Sequence, residues 1–65
     1  MKIVLNGEAT ELEAATLDAA LVELGFTEAK VATAVNEAFV AAPARAGFAL
    51  SEGDRLEILA PMQGG

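Results

Sequence analysis

The chain of 65 residues contains no cysteine, no histidine and no tryptophan. Without cysteine there is neither a disulfide nor a thiolate ligand, and without histidine there is no imidazole to complete a zinc site. The same gaps remove the usual catalytic pairs, which need an imidazole base or a thiolate nucleophile. Cations are scarce as well: Lys2, Lys30, Arg45 and Arg55 stand against ten acidic residues, for a net charge of −6. That balance opposes nucleic-acid binding, which needs a basic patch to displace counterions, and disfavours an anionic membrane surface. No apolar run approaches the roughly 20 residues of a spanning helix, and the opening reads as a strand rather than a signal peptide. The expectation is a cytoplasmic protein that binds neither nucleic acid nor membrane.

What is present makes one small domain. A chain this short buries only about 60% of the surface its unfolded form exposes. Alanine supplies 15 of the 35 hydrophobic residues, leaving 20 larger side chains for the core. That is enough for a compact centre but not for a buried catalytic cavity.

The pattern along the chain is legible in pieces. Residues 1–5 are rich in strand formers, with Met1, Ile3 and Leu5 on one face. Asn6-Gly7 follows, the preferred pair for a type I′ hairpin turn, in which both residues need positive φ. Residues 8–13 then alternate, Thr10 and Leu12 on one side and Glu11 and Glu13 on the other. Thr16 suits a helix N-cap and Asp18 the positive end of the helix dipole. Leu17, Ala20, Leu21 and Leu24 repeat at helical spacing. Gly25 is placed as the left-handed C′ residue, with Phe26 folding back on Leu21 in a Schellman motif.

Residues 31–35 read as a third strand, with Val31, Thr33 and Val35 on one side. Asn36-Glu37 is a turn and Phe39-Val40 a short returning strand. Residues 43–50 have no clean period and are expected to form a loop with one helical turn. Ser51-Glu52-Gly53-Asp54 is turn chemistry. Residues 55–60 alternate again, Leu56 and Ile58 inward, Arg55 and Glu57 outward. Pro61 ends this strand because it cannot donate to a ladder. The sum is an α+β fold: a mixed sheet of four to five strands, the first and last parallel at its centre, with one main helix on one face. That is the β-grasp, or ubiquitin-like, architecture, read as a single domain over residues 1–61 with a flexible tail at 62–65.

Chemistry has few places to reside. Ser51 lies in a turn with no partner, and the pairs Glu11/Glu13 and Glu52/Asp54 read as solvated charges, since acidic side chains are mostly exposed. No catalytic residue, metal site or bound cofactor is expected. Gly64-Gly65 is the remaining candidate. Two glycines at a chain end arise by chance about once in 200 at average composition. Lacking Cβ atoms, they form a slender tail able to enter a narrow channel and present a terminal carboxylate to another protein.

These residues carry a family resemblance. The opening Met1-Lys2-Ile3-Val4-Leu5-Asn6-Gly7 and the segments Val31-Ala32-Thr33-Ala34-Val35-Asn36-Glu37 and Phe39-Val40 resemble the ThiS family, the bacterial sulfur carriers of thiamine biosynthesis. So, more specifically, does Gly53-Asp54-Arg55-Leu56-Glu57-Ile58 running into Pro61-Met62-Gln63-Gly64-Gly65. The loop between Val40 and Leu50 departs from the pattern: it is alanine-rich where many relatives carry a tryptophan-containing stretch.

The resemblance implies a carrier and not an enzyme. An E1-like adenylyltransferase would use its own ATP and Mg2+ to adenylate the carboxylate of Gly65. A cysteine desulfurase persulfide, or another sulfur donor, would convert the adenylate to a thiocarboxylate, which thiazole synthase would consume. Gln63 and Gly64 would thread the partner active site. Docking is expected at Val4 and Leu59, on the sheet face away from the helix, and at Met62, a flexible apolar side chain suited to an interface. The nearest rival is the small subunit of molybdopterin synthase, which shares the fold and the Gly-Gly end. A rival of another class is a non-covalent ubiquitin-like docking module.

Overall fold

The computed structural model describes residues 1–26 and 30–60. The chain forms β1 (Lys2–Leu5), β2 (Glu8–Glu11), α1 (Leu17–Leu24), β3 (Ala32–Val35), β4 (Ala38–Val40), a 3-10 turn (Ala42–Ala44) and β5 (Arg55–Leu59). The five strands lie in one sheet in the order β2-β1-β5-β3-β4. The strand β5 is therefore central, parallel to β1 and antiparallel to β3. This is the expected β-grasp, at the upper end of the expected strand count.

Both hairpin turns follow from their residues. Asn6 and Gly7 have φ of 48° and 87°, and Asn36 and Glu37 have 51° and 73°, the positive pairs of a type I′ turn. That turn matches the right-handed twist of the strands it joins, so each hairpin closes without splaying. The first extends beyond its ladder. The Leu12 N–H donates to the Met1 carbonyl at 2.8 Å, and the Met1 ammonium donates to the Leu12 carbonyl at 2.6 Å.

The helix is stopped at both ends as its residues dictate. The Thr16 hydroxyl accepts from the Ala19 N–H at 3.2 Å. At the other end Gly25, at φ 90°, donates to the Val22 carbonyl while Phe26 donates to that of Leu21 at 2.8 Å, the two bonds of a Schellman motif. Two further N–H groups of the first turn have no partner within the helix. The loop after β4 supplies them: Leu17 donates to the Phe48 carbonyl at 2.9 Å and Asp18 to that of Arg45 at 3.2 Å. Residues 43–50, which lack periodicity, are thus held by backbone bonds to the helix.

Arg45 adds a side-chain strap, donating from Nε to Thr33 Oγ1 at 3.1 Å and from Nη2 to the Val31 carbonyl at 2.7 Å. Thr33, the buried polar residue of β3, donates in turn to the Val40 carbonyl at 2.8 Å. The core lies between helix and sheet, with Ile3, Leu12, Leu17, Ala20, Leu21, Val35, Val40, Leu50, Leu56 and Ile58 buried. The sheet face away from the helix is left to solvent.

Candidate functional site

Strand alternation sends Leu56 and Ile58 into the core and Arg55, Glu57 and Leu59 out. Val4 lies opposite Arg55 in the parallel ladder and Leu59 opposite Ala32 in the antiparallel one. Both therefore belong to the outer face, as the sequence pattern implies. They are not neighbours: the four residue steps from Arg55 to Leu59 separate them by about 13 Å along the strand. Val4 is half-buried, whereas Leu59 is 65% exposed.

The outer face has two halves. Over β1, β2 and the start of β5 it carries Lys2, Glu11 and Arg55. Arg55 reaches Glu37 at 3.5 Å, and Glu11 lies 3.6 Å from the Met1 ammonium. Over β3, β4 and the end of β5 it carries Ala32, Ala34, Leu59 and Phe39, with Glu57 beside Ala34 at its border. Phe39 stands opposite Ala34 in the ladder and is 71% exposed. Sequence reasoning placed Phe39 in a strand but not in the docking face. The signal was available, since Val40 pointing inward forces its neighbour outward. The apolar half adjoins the point at which the chain leaves β5.

Three acidic side chains, Glu52, Asp54 and Glu23, hold backbone N–H groups. Glu52 accepts from the Lys2 N–H at 3.1 Å, and Asp54 accepts from the Ser51 N–H at 2.8 Å and from Asn36 Nδ2 at 3.0 Å. Glu23 accepts from the N–H groups of Glu13 and Ala14. Among the described residues no three acidic side chains sit together as they would to hold a metal ion. Nor, among them, is any helix long and apolar enough to cross a membrane. Met62, Gln63, Gly64 and Gly65 lie outside the described residues, so of the candidate site residues Val4 and Leu59 have a described place.

A model of the ThiS family matches residues 3–65. The chain belongs to the ThiS family. That family groups the small sulfur carriers of thiamine biosynthesis. The crystal structure of the thiamine biosynthesis protein ThiS from Geobacter metallireducens superposes on this ThiS-family chain with a TM-score of 0.84, at 25% identity, over 100% of both chains. A thiazole synthase of Paramagnetospirillum magneticum is 42% identical over 66 residues, which take in 100% of this chain. The chain spans 20% of the length of that curated relative.

Proposed function

We propose that this chain is the sulfur carrier for thiazole formation, acting as a protein substrate of partner enzymes and not as a catalyst. The observation that carries the reading is the extent of the family match, which runs through Gly64 and Gly65 to residue 65. Residues 1–61 form the domain in this reading and residues 62–65 the tail. The Gly65 carboxylate attacks the α-phosphorus of ATP on an E1-like adenylyltransferase, with pyrophosphate leaving. A persulfide, from a cysteine desulfurase or another donor, then attacks the acyl-adenylate and expels AMP. A second thiol takes the outer sulfur's bond partner as a disulfide and releases the thiocarboxylate. ATP and Mg2+ belong to the adenylyltransferase, and the cell compartment is the cytoplasm, where these partners work.

Gln63 and Gly64 pass through the partner's channel, and a side chain at Gly64 or Gly65 would obstruct it. Docking uses the apolar half of the outer face, Leu59 and Phe39, with Met62 beside the tail and Val4 at the far rim. Thiazole synthase is the acceptor. The Paramagnetospirillum magneticum thiazole synthase supports this choice, because a region similar to this chain is part of its polypeptide.

The test is intact mass spectrometry after incubation with an E1-like adenylyltransferase, ATP, Mg2+, a persulfide donor and a thiol reductant. The expected result is a mass gain equal to one oxygen replaced by sulfur, localised to Gly65 and absent from a chain lacking Gly64 and Gly65. An unchanged mass with several cognate activating enzymes would overturn the carrier reading in favour of a non-covalent docking module. Delivery of the sulfur by this chain acting as the small subunit of molybdopterin synthase, rather than to thiazole synthase, would overturn the choice of acceptor.

A further inference from the structure

The strand β1 ends at Leu5, where the chain turns away, but β5 runs on to Leu59. The rungs between them include the Val4 N–H to the Asp54 carbonyl and the Asn6 N–H to the Leu56 carbonyl, both at 2.9 Å. The N–H and C=O of one strand residue point to the same side, so the next pair on the β1 side belongs to Ile58. Ile58 is buried, and its peptide groups need partners. The backbone of Asn6 cannot continue the ladder, because its φ of 48° carries it into the turn.

The side chain of Asn6 replaces it. Asn6 Oδ1 accepts from the Ile58 N–H at 2.9 Å, and Asn6 Nδ2 donates to the Ile58 carbonyl at 3.2 Å. A primary amide offers the same donor and acceptor as a peptide group, so one side chain lengthens the parallel ladder past the end of β1. Asn36 makes a similar clasp at the opposite end of β5. It accepts from the Arg55 N–H at 2.9 Å and donates to Asp54 Oδ1 at 3.0 Å. The two asparagines sit at corresponding turn positions but hold different ends of the same strand.

We infer that Asn6 is a positioning residue for the C-terminal segment: its amide fixes Ile58, and so the place and direction in which the chain leaves the sheet toward a partner's active site. The inference rests on the carrier reading of that segment. Without the clasp, the last bond on the β1 side falls back from Ile58 to Leu56. Residues 57–59 then keep only their ladder to β3, and the slack left on the β1 side must be taken up when the partner engages, a cost that falls on binding and not on the chemical step.

The experiment compares Asn6→Gly and Asn36→Gly in the full chain. Glycine tolerates the positive φ of both turns, so each variant removes a clasp and keeps its turn. Adenylation by the E1-like enzyme is followed as ATP–pyrophosphate exchange, and amide exchange at Ile58 is followed by NMR. For Asn6→Gly the Ile58 amide should exchange faster, and KM for the carrier should rise about five- to tenfold with kcat unchanged, the scale of one or two lost hydrogen bonds. Asn36→Gly should lower stability comparably and leave KM near wild type, which a merely structural role for Asn6 would not produce. Should Asn6→Gly fold poorly, Asn6→Asp serves in its place, since it keeps the acceptor for the Ile58 N–H and loses the donor to its carbonyl.

Equal KM values for the wild type and the Asn6 variants, or equal rises in Asn6→Gly and Asn36→Gly, would overturn the inference. A wild-type chain that is not adenylated at all would instead overturn the carrier reading, and the positioning role with it.

Discussion

The two hairpins that flank β5 are built on the same turn and put to different uses. In the β1–β2 hairpin the second turn residue is Gly7, at φ 87°, and the outer face is charged. In the β3–β4 hairpin it is Glu37, at φ 73°, and the outer face is apolar, with Phe39 exposed. An identical backbone solution thus leaves the side chains free to diverge: one hairpin presents ions and clasps the end of the last strand, the other presents the surface assigned here to docking. The pair also shows how different residues meet one conformational demand. Glycine adopts positive φ without a Cβ penalty, whereas Glu37 accepts the strain beside an exposed ion pair with Arg55.

The largest way to break the comparison is to remove what joins the hairpins. Leu56 is buried and stands opposite Leu5 in one ladder and Val35 in the other. Leu56→Ala should lower stability by about 2–5 kcal/mol, as a truncation in a packed core does, and thermal denaturation would read it as a large loss of Tm. Next comes the division of the outer face. Phe39→Ser should weaken binding to the proposed E1-like partner about tenfold or more, as loss of an aromatic anchor does, with the fold retained by circular dichroism. Val4→Ser, in the charged half, should cost less binding, and the reverse order would reject the assignment of docking to the β3–β4 side.

The turns themselves provide a finer contrast. A Cβ at Gly7 would meet nothing within 4 Å, so the penalty for Gly7→Ala is conformational, about 1 kcal/mol of stability in a denaturant titration. Glu37→Gly should move the other way by about 0.5 kcal/mol, because the relieved strain exceeds glycine's added unfolded-state freedom. Smallest of all, Glu37→Gln should change stability by less than about 0.5 kcal/mol, since exposed ion pairs contribute little. A larger loss would mean that the ion pair, and not the Asn36 clasp, maintains the second turn.

Much of this could be read before any coordinates. Asn6-Gly7, Thr16, Gly25 and the alternation from Arg55 to Ile58 act through local geometry, and local geometry is written in neighbouring residues. Val4 and Leu59 were assignable to the outer face by the same alternation. Pairings across the chain were not. That Arg45 would reach Thr33 and Val31, or that Phe48 would receive the Leu17 N–H, depends on where an aperiodic loop crosses the fold. Asn6 shows the boundary most plainly: its place in a turn followed from the next residue, but its bonds to Ile58 follow from a parallel register 52 positions away.

The central position of β5 also has a consequence for synthesis. The strand that every other part of the sheet is built around is the last to be made. A nascent chain that has not yet released Leu59 holds two hairpins with no strand between them, and isolated hairpins are marginal in water. The sheet therefore assembles after translation has passed β5, not progressively during it. A product stopped short of that strand holds two hairpins with nothing to join them, and such a chain is exposed to proteolysis.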